Sequence, residues 1–128
     1  MITVPNFQVN REIIEHWIYR MEKAMDWFAS AMGATGFTER NRNINLTHLV
    51  EVFDDWPNDT AKECPYFLAA HHHKNIAIGL IGAVLIESYY FSDVGEVIGV
   101  ELENCLTKLH QAKELHIDLQ NSINNLNE

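Results

Sequence analysis

Apolar residues in this chain recur at three- and four-residue steps, the period of a helix face, and nowhere form a convincing alternation. Ile14, Ile18, Met21, Met25, Phe28 and Met32 share one such face. Asn10 suits the cap of this first helix, because its side chain accepts from the free amides of the opening turn. Glu12 and Glu15 favour the positive end of the helix dipole. Gly33 and Gly36 mark its end. Trp17 and Trp27 fall off the centre of the stripe and are expected to flank the core. After a polar connection, a shorter helix is predicted from Asn45 to Asp55, with Leu46, Leu49, Val50 and Phe53 inward. Pro57 disfavours helical geometry at Trp56 and closes it. Pro65 suits the first turn of the next helix, where its missing amide costs nothing.

Ile76 to Ile86 carries no charge and no hydrogen-bonding side chain. A helix apolar all round is enclosed by other helices or by lipid. At about 1.5 Å per residue this run reaches only about half of a bilayer core of roughly 30 Å. It is therefore expected as the buried centre of a soluble bundle, without membrane insertion. Its helix either runs unbroken from Pro65 to Phe91, since no proline interrupts it, or breaks or bends near Asn75, which is the favoured reading. Asp93 and Glu96 form a capping-box pattern that opens the last helix. There Ile98, Leu102, Cys105, Leu109, Ala112, His116, Leu119, Ile123 and Leu126 alternate four- and three-residue steps. Such a heptad repeat winds along a partner helix, either the first helix, antiparallel, or a second copy of the chain as a homodimer. The expected fold is all-α: one domain over residues 1–128, a compact bundle of four to five helices. It has a buried central apolar helix and a long C-terminal heptad-patterned helix.

A chain of 128 residues buries roughly two-thirds of its unfolded surface without metal or disulfide support. Charge changes the picture more. A formal net charge of −9 repels phosphate backbones, so independent nucleic-acid binding is not expected. The same field attracts basic proteins and speeds encounter with them. Cys64 and Cys105 sit among apolar neighbours and are expected as buried free thiols of an intracellular protein. The first ten residues lack the basic start and apolar core of a signal peptide, which makes the cytoplasm the expected compartment.

Negative charge concentrates where the second helix should end. Glu51, Asp54, Asp55, Asp59 and Glu63 surround Trp56-Pro57, with only Lys62 opposing them. Carboxylates steer a basic partner and an exposed tryptophan anchors it, so these five carboxylates and Trp56 are the candidate partner-binding residues. The ordinary alternative is Trp56 packed inward with its carboxylates solvated.

Histidines offer a second chemistry. His71, His72 and His73 are successive, so on a helix they point about 100° apart and cannot share one ion. One of them could join His48, His110 or Glu87 as a metal site. The paired Glu-x-x-His elements typical of carboxylate-bridged metal bundles are absent, however. No cofactor is required by the sequence, although a metal ion remains an option. Burial of Glu87 would raise its pKa and suit it to acid–base work. A helix end returning to water explains it equally well.

Two stretches resemble known families. Ala70-His71-His72-His73-Lys74 looks like the start of the histidine-phosphotransfer signature, in which a histidine precedes a lysine by three residues. That resemblance implies an exposed, phosphorylatable His71 on a small acidic bundle. Asn75 stands where that signature has glycine, and His73 where it has a hydrophobe. Arg42-Asn43-Ile44-Asn45-Leu46-Thr47-His48 is similar to the arginine–histidine element of the HEPN superfamily of helical nucleases. It implies that Arg42 stabilises phosphate charge while His48 activates a ribose hydroxyl.

These features lead to an expected function without catalysis: a small acidic cytoplasmic helical protein that binds and neutralises a basic protein. Immunity proteins, antitoxins and phage-encoded inhibitors work on this physical logic. The competing expectation is a helical-bundle enzyme or cofactor protein with a His/Glu site.

Overall fold

The computed structural model describes residues 11–33, 38–57 and 64–126. Its elements are four helices: α1 (Arg11–Met32), α2 (Thr38–Glu51), α3 (Pro65–Leu85) and α4 (Phe91–Leu126). No strand occurs among the described residues. The all-α bundle expected from the sequence is the observed architecture.

The heptad seam of α4 is used within the chain. Phe28 of α1 lies over Gly99, the Cys105 thiol is 3.6 Å from Met21 Sδ, and Lys113 Nζ is 3.4 Å from Glu15. The numbers rise along α1 as they fall along α4, so the two helices are antiparallel. Ile98, Leu102, Cys105, Leu109 and Ala112 are fully buried within the chain, so this part of the seam is occupied by the chain's own helices. A Cβ at Gly99 would stand 3.0 Å from the Phe28 ring, so the close approach of α1 and α4 depends on that glycine.

On its other side α4 pairs with α3, also antiparallel: His73 meets Glu101, and Lys108 lies over the Tyr66 ring at 5.8 Å. α1 also packs on α2, and α2 touches α3, so the four helices surround one hydrophobic cluster.

Several boundaries and faces differ from expectation. α3 is continuous through Asn75, without the anticipated bend, and ends at Leu85. Its apolar run is not enclosed on all sides: Ala77, Ile81 and Val84 are buried, whereas Ile76 is 47% exposed and Ile86 75%. A single packed neighbour on the outer side would have been needed to cover them, and none of the described elements supplies it. α2 begins seven residues before Asn45, because its polar first half leaves no apolar stripe to announce it. α4 starts at Phe91, two residues before the predicted cap Asp93. Trp17 is in the core at 2% exposure, while Met32, placed inward by the stripe, is at the surface. The proposed cap Asn10 and Gly36 lie outside the described residues.

α3 ends in a Schellman arrangement. Ser88 N–H donates to the Ala83 carbonyl at 2.8 Å and Glu87 N–H to the Val84 carbonyl at 3.1 Å. This geometry needs a left-handed residue, and the chain supplies Glu87 at φ 63° where glycine is the easy choice.

Candidate functional site

The last turn of α2 tightens into three-residue hydrogen bonds, Phe53 to Val50 and Asp54 to Glu51, before Pro57 stops it. This swings Trp56 inward. Its ring centroid is 4.8 Å from that of Trp17 and 4.8 Å from that of Phe67, and Trp56 is only 5% exposed. Trp17 also stacks on Phe53. Four aromatic rings, Trp17 from α1, Phe67 from α3, and Phe53 and Trp56 from the turn after α2, therefore lock one end of the bundle. Trp56 is core and not a surface anchor, which corrects that part of the expected partner-binding set. Asp59 and Glu63 lie outside the described residues.

The other carboxylates stay in water. Glu51, Asp54 and Asp55 are exposed, the Asp55 side chain to 80%. They stand at the negative end of the α2 dipole, where acidic groups are unfavourable. Arg20 of α1 offsets this: it donates to the Val52 carbonyl, lies 3.6 Å from Asp55 and covers the Trp17 ring at 5.0 Å. Beside Asp55 runs a cleft of about 320 Å³ lined by Glu12, Ile13, His16, Trp17, Asp55 and Pro57. Its walls are mainly apolar, with Glu12 and Asp55 as its two carboxylates. Such a cleft suits a side chain with an aliphatic stem and a cationic head, because the stem is desolvated and the head meets carboxylate.

The histidines do not converge. His71 stacks against Trp56, with its Nδ1 buried without a hydrogen-bond partner, and its pKa is lowered by burial, then by the nearby Lys74 and His72. His72 is exposed. His73 Nδ1 is 2.5 Å from Glu101 of α4. His48 lies over the Trp27 ring at 4.7 Å and 3.4 Å from Glu51, and His110 is exposed on α4. No three His, Cys, Asp or Glu among the described residues are placed to hold a metal ion.

Lys74 is the buried charge of the described core, 5% exposed, with its ammonium 5.0 Å from the centroid of the Trp56 ring. Burial lowers its pKa, and the ring face returns part of the lost hydration. With Lys74 sunk and His71 against Trp56, the exposed histidine–lysine pair of a phosphotransfer domain is not formed. Cys105 and Cys64 are buried free thiols, as expected. Burial pushes the Cys105 thiol up to about 12, which leaves it unreactive.

A second cleft, about 340 Å³, lies between α2 and the α3–α4 turn and is lined by Glu39, Arg42, Val84, Glu87, Tyr89, Tyr90 and Phe91. Arg42 lies over the Phe91 ring at 5.4 Å and donates to Asn43 Oδ1. His48, six residues on, faces Trp27 on another side of α2, so the pair that a HEPN element brings together is split. Glu87 is exposed, so the burial that would have made it an acid–base group does not occur.

The sequence pattern did not place Trp17 or Lys74 in the core, nor Arg20 at the end of α2. A stripe drawn through Ile14, Trp17, Ile18, Met21 and Ala24 would have found the first. Comparison of the chain with protein-family models, with curated proteins and with solved structures returns no match.

Proposed function

We propose that this protein is a non-catalytic binder that captures a basic protein at the end of the bundle where α1 meets the turn after α2. The carrying observation is the cleft walled by Ile13, Trp17 and Pro57 and edged by Glu12 and Asp55, with Glu51 and Asp54 exposed on the adjoining turn. A partner's lysine or arginine enters with its stem on Ile13 and Pro57 and its charge on the carboxylates. The net charge of −9 steers the approach. The aromatic block beneath keeps the acidic turn rigid, so little ordering entropy is lost on binding. Masking the basic surface of a target is the action of an immunity protein, antitoxin or phage-encoded inhibitor, and a cytoplasmic setting suits the two free thiols.

Affinity purification from the native host, analysed by mass spectrometry, tests this. Wild-type protein should retain a partner of net positive charge, less of it as salt rises. A Glu12→Gln/Asp54→Asn/Asp55→Asn variant should lose that partner at least tenfold with an unchanged melting temperature. Capture of the same partner by the variant at full strength would overturn the placement. Retention of only acidic or neutral partners would overturn the proposed partner class.

A further inference from the structure

At the opposite end of α2 from the acidic cleft, the second cleft holds charges of both signs that do not pair. Glu39 and Arg42 stand three residues apart on α2, a spacing at which opposite charges commonly meet. Both line the cleft, as does Glu87 from the α3–α4 turn. Among the described residues, Arg42 forms no ion pair with either glutamate. Its Nε and one terminal nitrogen donate instead to Asn43 Oδ1, at 3.2 and 3.1 Å, and its guanidinium lies over the Phe91 ring at 5.4 Å. The other terminal nitrogen has no acceptor among the described residues.

Glu87 is the second unusual choice. It holds a left-handed backbone, φ 63°, at a position where glycine is free of strain. The turn uses only the main chain there, through the Glu87 N–H and the Val84 carbonyl. The carboxylate is exposed and makes no contact with a cation of the described chain. Between the charges the walls are apolar or aromatic: Val84 is buried, Phe91 half-buried and Tyr89 exposed. The residues lining this cleft all belong to the described segments.

Charges and walls together specify an occupant. A simple anion on Arg42 would face two carboxylates, and a simple amine on the carboxylates would face Arg42. A molecule with both charges at one end suits all three, its carboxylate on Arg42 and its ammonium toward Glu39 and Glu87. An apolar side chain then rests against Val84 and Phe91. The cleft volume of about 340 Å³, at about 30 Å³ per water, admits a molecule of about ten non-hydrogen atoms. We infer that this cleft binds a free α-amino acid with an apolar side chain. The site shares no residue with the acidic cleft and is independent of the protein partner proposed there.

Titration calorimetry of the full chain with leucine, methionine and phenylalanine tests it. At least one should bind with a Kd on the order of 100 μM to 1 mM, as suits a small ligand in an open cleft. For the tightest of the three, two analogues follow: the matching acid without the ammonium and the matching amine without the carboxylate. Each should bind at least about tenfold more weakly. Arg42→Gln should weaken the amino acid at least about tenfold, with a melting curve to show that the variant folds. A Glu39→Gln/Glu87→Gln variant should weaken the amino acid about tenfold without weakening the matching acid, a split that a general loss of structure would not give. No binding of any of the three at about 10 mM would overturn the inference. So would an acid or amine that binds as tightly as its amino acid, or binding that a folded Arg42→Gln variant leaves unchanged.

Discussion

Two regions of this molecule exchange the places their composition suggests. Trp56 stands in the most acidic stretch of the chain and goes into the core at 5% exposure, under three aromatic rings. Ile76 to Ile86 is the least polar stretch, yet Ile76, Gly79 and Ile86 in it face outward. The difference lies in what is available to cover each. Trp56 has Trp17, Phe67 and Lys74, all remote in sequence and brought together by the bundle. The outer side of α3 has no described helix beyond it. Composition states how much a segment gains from burial, and topology states whether a cover exists.

The contrast can be broken most forcefully at the aromatic end. Trp56→Ala removes a ring that three elements pack against and should cost about 3–5 kcal/mol in urea unfolding. Arg20→Met comes next. It frees the Val52 carbonyl and leaves Asp54 and Asp55 unopposed at the α2 C-terminus, a loss of about 1.5–3 kcal/mol in the same assay. Glu87→Gly relieves a left-handed glutamate and should raise stability by about 1 kcal/mol in the same assay.

The smallest effect is a pH dependence. Burial holds the His71 and His116 pKa values below the usual histidine range. The unfolded chain therefore takes up protons near pH 6.5 that the folded chain refuses. Stability is complete above about pH 6.5 and falls as pH drops toward the depressed folded values. His71→Gln should flatten that fall in a pH series of melting curves, and an unchanged slope would remove His71 as its source.

Much of the fold was legible because helix periodicity is local. The four- and three-residue steps of α4 named its buried face correctly from Ile98 to Ala112. α3 carries a seam of the same kind, Phe67, Ala70, Lys74, Ala77, Ile81 and Val84, but the surrounding apolar residues disguise it and a lysine interrupts it. Reading that spacing ahead of hydropathy would have separated the buried face from the bare one and placed Lys74 inside. The candidate site was less legible. Asp54 and Asp55 were found by charge alone. The direction of Trp56 depends on Trp17 and Phe67 arriving from other helices, and no local pattern encodes it. Arg20 was invisible for the same reason, since its acceptor at Val52 lies on another helix's last turn.

The two-sided character of α3 is tested most directly by one paired measurement on a single helix. Ile81 is fully buried and Ile76 is 47% exposed. Urea unfolding of Ile76→Asp and Ile81→Asp compares the two faces under identical conditions. Ile76→Asp should stay within about 1 kcal/mol of wild type, while Ile81→Asp should lose more than about 4 kcal/mol or fail to fold. Equal losses at both positions would mean that α3 is enclosed on every side, contrary to this account.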